Sequence, residues 1–417
     1  MKITISGIRG VVGHDYTLHD AMLFCRGFAG IMYSKTCVVS RDTRPTSKMI
    51  SDVISAVLTS CDVDVLDLGV MPTPVVFRES QKYGSGIVIT ASHNPIEWNG
   101  LKFILNGRMV NTAEIDRIKG NTGHASDENS YGSTIHYTSS YVDDMFNIIG
   151  YIDEAPSILI DAGGGAATDI AQDILKKIGC RSGIIYNKCT RTDPTADNLE
   201  RLVAESTGYD AGVAFDTDGD RLVLVMNGMV QLPDATLGLG VASAIRQGHR
   251  KFVISMDTST LIERYIRNRG GIVWRAPVGE ANVIDKMIQN DASVGGEGSS
   301  GGFIFNEFNH CRDGLFTSAL IASMIPKGIA QDVLREVTGS TIIREKVAGY
   351  KDIQDKIMRI STEVDTTDGI RGIIDEDTWV LIRRSNTEDV TRLSVEAPTP
   401  DRCRNIINQV RTMIHDI

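Results

Sequence analysis

Short β-branched runs recur along the chain, and each gives way to a loop of small polar residues. Thr36-Cys37-Val38-Val39-Ser40 runs into Arg41-Asp42-Thr43-Arg44, and Gly86-Ile87-Val88-Ile89-Thr90 runs into Ala91-Ser92-His93-Asn94-Pro95. Ser157-Ile158-Leu159-Ile160-Asp161 runs into Ala162-Gly163-Gly164-Gly165. Between such runs the apolar positions change period. Over 47–58 and 168–178 they recur at helical spacing, as Ile170, Ile174, Leu175 and Ile178 do. Strands alternating with amphipathic helices predict α/β domains with mostly parallel sheets.

At roughly 150 residues per domain, a chain of 417 residues predicts about three domains, with two or four also compatible. The stretch 121–134 is polar, small and without periodicity, which marks a linker. Further seams are expected near 231–234 and 338–340, giving domains over 1–132, 133–232, 233–339 and 340–417. Glycine is abundant (40) and proline scarce (11), so glycine is expected to build the turns and any backbone-lined phosphate loop. The formal net charge of −10 argues against a general nucleic-acid or membrane-surface binder, since both partners are polyanions. No apolar run reaches the roughly 18 residues that span a bilayer, and the apolar start is too short for a signal peptide. Seven widely spaced cysteines without a C-x-x-C read as reduced thiols, and the expected location is cytoplasmic.

Four loops carry chemistry. In Phe215-Asp216-Thr217-Asp218-Gly219-Asp220-Arg221 three carboxylates stand at i, i+2 and i+4 between the strands 211–215 and 222–226. Converging anions repel unless a cation lies between them, and all-oxygen ligands suit Mg²⁺ or Ca²⁺. An EF-hand fails here: the glycine is misplaced, Asn227 stands where the twelfth-position glutamate is needed, and the flanks are strands. A plain polar hairpin tip is the competing reading. In Thr90-Ala91-Ser92-His93-Asn94-Pro95 the serine ends a strand, where α/β proteins bind ligands, so Ser92 can be a nucleophile or phosphate carrier. The serine-hydrolase elbow G-x-S-x-G is absent, and a capped turn is the bland alternative. In Gly295-Gly296-Glu297-Gly298-Ser299-Ser300-Gly301-Gly302, Glu297 can accept hydroxyl hydrogen bonds, although glycine-rich loops alone are weak evidence. Arg383-Arg384-Ser385-Asn386-Thr387-Glu388, with Arg392 beyond, offers the clustered donors of an anion cradle. Smaller elements are Gly7-Ile8-Arg9-Gly10, Arg41-Asp42-Thr43-Arg44, Val278-Gly279-Glu280-Ala281-Asn282 with Lys286, and Asp313-Gly314, where Asp313 reads as a helix cap.

Together, and in this order, these loops resemble those of the α-D-phosphohexomutase superfamily, whose members include phosphoglucomutases, phosphomannomutases and phosphoglucosamine mutases. The resemblance implies four domains around a central cleft, the first three sharing one mixed α/β topology and the fourth a small sheet with helices. It implies reversible phosphate transfer between the 6- and 1-hydroxyls of a hexose or hexosamine through a phosphoserine and a bisphosphorylated sugar. On that resemblance Ser92 carries the phosphoryl group, while Asp216, Asp218 and Asp220, with a phosphoserine oxygen on Ser92, hold one Mg²⁺. Lys102 is the first choice as general acid/base, with a lowered pKa expected, and Arg9, His93 and Arg221 stand near the transferred group. Glu297, Gly279 and one of Ser299 and Ser300 would read the sugar, and Arg383, Ser385, Asn386, Thr387 and Arg392 the non-reacting phosphate. The sugar loop carries an extra small residue compared with the usual G-E-x-S-G, Gly302 replaces a frequent histidine, and Asp389 replaces a frequent proline. The V-G-E-x-N-V segment leans toward glucosamine-type enzymes. The implied partner is a small phosphosugar, with a hexose 1,6-bisphosphate as intermediate or activator, and the chain is expected as monomer or homodimer. A metal-dependent sugar-phosphate phosphatase and a non-catalytic sugar-phosphate sensor are the rival readings.

Overall fold

The computed structural model describes residues 1–5, 7–121, 130–189, 191–347, 353–385 and 390–415. Residues 122–129 of the expected linker, and the candidates Asn386 and Thr387, lie outside the described residues.

Three of the four sheets found there repeat one plan. In the first, Thr36–Arg41 is flanked by Asp64–Val70 and Ser85–Ile89, both parallel to it, and Trp98–Leu105 runs antiparallel to Ser85–Ile89. In the second, Ser157–Asp161 is flanked by the parallel Arg181–Ile184 and Ala211–Phe215, and Leu222–Met226 runs antiparallel to Ala211–Phe215. In the third, Lys251–Ser255 is flanked by the parallel Ile272–Ala276 and Val294–Glu297, with Gly302–Phe305 next to the latter. Counting strands within each plan, the order is second, first, third, fourth every time. Parallel neighbours require a crossover, and helices supply it. Ser47–Ser60, Thr168–Lys177 and Thr260–Arg267 link first to second strands, and Thr73–Tyr83, Glu200–Glu205 and Glu280–Asn290 lie between second and third.

The plan fixes where chemistry can sit. The loop after each third strand leaves the carboxyl end of the parallel strands, where α/β sheets present ligand sites. Those loops are 90–97, 216–221 and 298–301, which hold Ser92, the three aspartates and the Glu297-flanking serines. The first sheet is widened by Gly7–Val11, antiparallel to Trp98–Leu105. That contact is tight: a Cβ on Gly100 would lie 1.9 Å from the carbonyl oxygen of Ile8. Arg9 pairs with Gly100, so Arg9 and Lys102 emerge on the same side of neighbouring strands.

The fourth sheet is wholly antiparallel, in the order Thr341–Val347, Thr391–Ala397, Thr378–Arg384, Ile370–Asp375, Glu363–Asp365. One face is apolar: Val380, Ile382, Leu393 and Val395 pack with Cys403, Ile406, Ile407 and Val410 of helix Pro400–His415. Alternation then sends Arg383, Arg392, Lys346 and Arg344 to the opposite face.

The chain divides into two compact units, one of Met1–Gln231 with Ile304–Pro326, the other of Leu232–Phe303 with Lys327–Ile417. In the first, the returning segment is held by Tyr141, whose hydroxyl donates to both carboxylate oxygens of Asp313 at 2.6 and 2.7 Å. Asp313 also caps helix Gly314–Met324 by accepting from the Phe316 amide at 3.0 Å, as its position before Gly314 predicted. Among the described residues no helix is long and apolar enough to cross a membrane.

Candidate active site

In the first unit Ser92 follows the buried strand Ser85–Ile89 and is itself 1% exposed. Its φ of 52° is left-handed, a conformation that strains any residue but glycine. The Thr90 hydroxyl accepts from the Ser92 amide at 2.8 Å, and Ser92 Oγ lies 3.4 Å from Nδ1 of His93. That imidazole nitrogen also stands 3.0 Å from Nη2 of Arg221, so the loop of the serine and the loop of the aspartates meet through His93. Arg221, then burial, then Arg9 and Arg312 push the His93 pKa well below its ordinary value. The ring is therefore neutral at pH 7, with Nδ1 as the acceptor toward Arg221 and Nε2 carrying the proton.

Asp216, Asp218 and Asp220 each bring one carboxylate oxygen within 4.8 Å of the others, and all three are buried. Gly219, at φ 72°, makes the bend that lets them converge. Each aspartate keeps one buried oxygen without a hydrogen-bond partner: Oδ2 of Asp216, Oδ1 of Asp218 and Oδ1 of Asp220. A cluster of three buried carboxylates, each with an orphaned oxygen, suits a hard divalent cation. The pair of strands around the trio is a hairpin, with the trio at its tip. The electrostatics point the same way. Burial and the two neighbouring carboxylates push the Asp216 carboxyl well above the usual range. Asp218 and Asp220 suffer the same burial, but Lys102 outweighs it at Asp218, and Arg312, Lys102 and Arg221 outweigh it at Asp220.

Lys102, 4% exposed, projects from Trp98–Leu105 and donates to Asp218 Oδ2 at 2.6 Å and Asp220 Oδ2 at 3.0 Å. The expected lowering of its pKa is corrected. Burial does favour the neutral amine, but the two carboxylates outweigh it and raise the pKa above the ordinary lysine value. Arg9 reaches the serine loop through Nη1, which donates to Asn94 Oδ1 at 3.2 Å. Arg221 ion-pairs with Asp193 at 3.0 Å, and its own amide donates to Asp216 Oδ1 at 3.1 Å.

Two further participants carried no signal in the sequence. Arg312 sits 3.2 Å from Asp220 Oδ2, brought there by the segment that returns to this unit. Thr73 caps the trio from the other side: its amide donates to the Asp218 carbonyl at 2.9 Å and its hydroxyl to Asp218 Oδ2 at 2.5 Å.

In the second unit Glu297 is 4% exposed, and its Oε1 accepts from the Gly279 amide at 2.7 Å. Ser300 is buried with its hydroxyl turned to the Glu297 carbonyl at 3.4 Å, whereas Ser299 is half-buried. Arg383 donates through Nε to Asp368 Oδ2 at 2.9 Å, and its Nη2 is buried without a partner. The same Asp368 oxygen accepts from the Val278 amide at 2.8 Å. Asp368 therefore joins Arg383 to the turn that holds Glu297, a link invisible in a sequence where the partners stand far apart. Arg383 and Arg392 are direct cross-strand partners, with Lys346 next in the row. Like charges in register are unfavourable unless an anion sits over them. Ser385 is half-buried, and its amide donates to the Val390 carbonyl at 2.9 Å, closing the loop.

The comparisons cover nearly all of the chain. Domain families described as phosphoglucomutase/phosphomannomutase, alpha/beta/alpha domain I, II and III, match residues 1–128, 139–228 and 233–340, and the C-terminal domain of the same family matches 339–413. A relative from Methanosphaera stadtmanae, named "Probable phosphoglucosamine mutase", is 30% identical and the alignment covers 96% of this chain and 95% of that protein. The "Phosphoglucomutase/phosphomannomutase" of Thermococcus kodakarensis is 28% identical with the same coverage, 96% and 95%. A solved structure of a phosphoglucomutase/phosphomannomutase family protein from Burkholderia thailandensis matches with a TM-score of 0.86 at 25% identity, over 99% of this chain and 98% of that one. With four domains of one family matched in sequence order, and a fold of three like sheets plus a small antiparallel one, the chain belongs to the phosphoglucomutase/phosphomannomutase family of α-D-phosphohexomutases.

Proposed function

We propose that this chain is a phosphohexomutase that interconverts a hexosamine or hexose 6-phosphate and its 1-phosphate through a phosphoserine at Ser92. What supports the reading is that the loop of a left-handed, buried serine is joined, through His93 and Arg221, to the loop of three aspartates that each keep an unsatisfied buried oxygen. Several relatives are named phosphoglucosamine mutases, which favours a hexosamine phosphate as substrate.

Asp216, Asp218 and Asp220 are the residues to hold Mg²⁺, with a phosphoryl oxygen on Ser92 completing the set. Bound there, the ion neutralises charge on the transferring phosphoryl group. The rest is the work of the chain. A sugar hydroxyl attacks the phosphorus on Ser92; the new sugar O–P bond forms as the Ser92 Oγ–P bond breaks. Net, one proton passes from the sugar hydroxyl to the serine oxygen. Lys102, an ammonium among carboxylates, is the group to give that proton to Oγ and recover it from the sugar. Arg9, Arg221 and Arg312 supply fixed positive charge around the phosphoryl group, and neutral His93 orients Arg221. The bisphosphorylated sugar then reverses its ends and returns the other phosphate to Ser92. In the second unit Glu297, Gly279 and Ser299 are assigned to the sugar hydroxyls, Ser300 to bracing that loop, and Arg383, Ser385, Arg392, Asn386 and Thr387 to the non-reacting phosphate.

The test compares kcat/KM for glucosamine, N-acetylglucosamine, glucose and mannose phosphates in Mg²⁺, with Ser92→Ala alongside. Turnover and the single phosphate seen by intact mass should both vanish in Ser92→Ala. Full activity in that variant, or inorganic phosphate released faster than the sugar isomerises, would overturn the mutase reading.

A further inference from the structure

We propose that Arg44 is a positioning residue for phosphoryl transfer: its guanidinium clamps the backbone of the serine loop and holds Ser92 in its left-handed conformation. The inference rests on the reading of Ser92 as the phosphoryl carrier. Nothing in the sequence marked Arg44 beyond its place in Arg41-Asp42-Thr43-Arg44.

Every donor of the side chain is committed. Nε donates to Asp42 Oδ2 at 3.0 Å. Nη1 donates to the carbonyls of Pro95 and, at 3.0 Å, Trp98. Nη2 donates to the carbonyls of Ser92 at 2.5 Å and Asn94 at 2.7 Å. Three carbonyls of the serine loop, including that of Ser92 itself, and that of Trp98 where the next strand begins thus converge on one planar cation. Both Arg44 and Asp42 side chains are 0% exposed.

The other backbone group of Ser92 leads to the same ion pair. Its amide donates to Thr90 Oγ1, and the Thr90 side chain in turn hydrogen-bonds Asp42. Asp42 also accepts from the Arg44 amide at 3.0 Å and from the Ser47 hydroxyl, while Asn99 Nδ2 donates to Ser47 Oγ at 2.9 Å. The amide and the carbonyl of Ser92 are therefore fixed from one anchor, on the two sides of a backbone turn that a serine resists. A buried ion pair is an expensive way to add stability, since apolar packing does as well or better. What it offers is direction: a rigid fork of five donors that a lysine cannot reproduce. Strained backbone of this kind persists only where the surroundings over-determine it. Here the surroundings are Arg44 and Asp42, and the strained residue is the one that exchanges the phosphate.

The experiment uses the full chain with Mg²⁺ and the phosphosugar that the parent turns over best. Arg44→Lys should lower kcat about 100-fold, the scale expected when a reacting group is displaced by about 1 Å. KM should stay within about twofold, because no group assigned to the sugar is touched. The single-turnover rate at which glucose 1,6-bisphosphate phosphorylates Ser92, followed by intact mass, should fall by the same factor as kcat. Asp42→Asn, which keeps the shape but loosens the anchor of Nε, should give a smaller loss in the same direction. A folded Arg44→Lys enzyme within about threefold of parental kcat overturns the clamp, as does a KM that rises in step with the loss of kcat. Should Arg44→Lys not fold, Asp42→Asn decides on the same two criteria. Turnover retained in Ser92→Ala would instead remove the carrier assignment, and the clamp with it.

Discussion

Asp216 shows how a site for a cation trades stability against function. It is the member of the trio whose pKa is raised: burial and two neighbouring anions outweigh the opposing effect of Arg221. Removing that charge should help the ion-free chain. In EDTA, Asp216→Asn should melt about 1 °C above the parent, the size expected from about 1 kcal/mol in a chain of this length. Adding Mg²⁺ should raise the parent's Tm by mass action and leave the variant unmoved. Differential scanning calorimetry with and without Mg²⁺ measures both, and a parent indifferent to Mg²⁺ would contradict the metal assignment. The trio was legible because its spacing is local: three acids at alternate positions need no tertiary information. Arg312, Thr73 and Asp368 were not legible, because each acquires its role from a partner distant in the chain. In the ion-free site the Lys102 pKa runs opposite to expectation for a related reason. Reasoning from an assumed ion and nearby arginines left out the two carboxylates that actually touch the ammonium.

Strands buried on both faces were the easiest to read. Ser157–Asp161, Ala211–Phe215 and Leu222–Met226 stand where their unbroken apolar runs put them, since strands covered on both faces need no alternation. The strands of the last sheet were harder, because one of their faces is charged. Helix Thr112–Gly120 illustrates how a short element is held by its end. Asn111 accepts from the Glu114 amide at 2.9 Å, Glu114 accepts from the Asn111 amide at 2.8 Å, and Arg108 grips the same carboxylate at 2.7 and 2.9 Å. Arg108 above all holds the Glu114 carboxyl below its usual range. A depressed carboxyl pKa contributes stability above the unfolded value and loses it as pH falls through the folded one. Glu114→Gln keeps an acceptor for the Asn111 amide but loses the charge that Arg108 grips, so it should cost about 0.5 kcal/mol at pH 7. The gap to the parent should begin to narrow near pH 4, about where the unfolded carboxyl protonates, and close only once the folded carboxyl, held lower, protonates too. Urea melts at pH 7 and at successively lower pH check the sign; a gap that widens in acid would refute it.

On the scale of the whole molecule, chemistry is divided between the units: phosphoryl transfer is assigned to the first, recognition to the second. Asp368 is the joint within the second, with Val278 on one side and Arg383 on the other. Asp368→Ala should raise KM for the phosphosugar about tenfold, the loss expected for one charge-assisted hydrogen bond to an arginine. The transfer groups Ser92 and Lys102 are not among its partners, so kcat should move by less than about threefold; steady-state kinetics separates the two. The strand order repeated in three sheets has a consequence for how new specificities arise. Each reactive segment follows the third strand of its sheet, at the carboxyl ends of the parallel strands. Such segments are exchangeable parts. Transplanting the short stretch after Val294–Glu297 from a relative with a different sugar preference should shift the ranking of substrates while the thermal transition stays where it was. Diversification on this scaffold then proceeds at its loop ends, with the interior carried along unchanged.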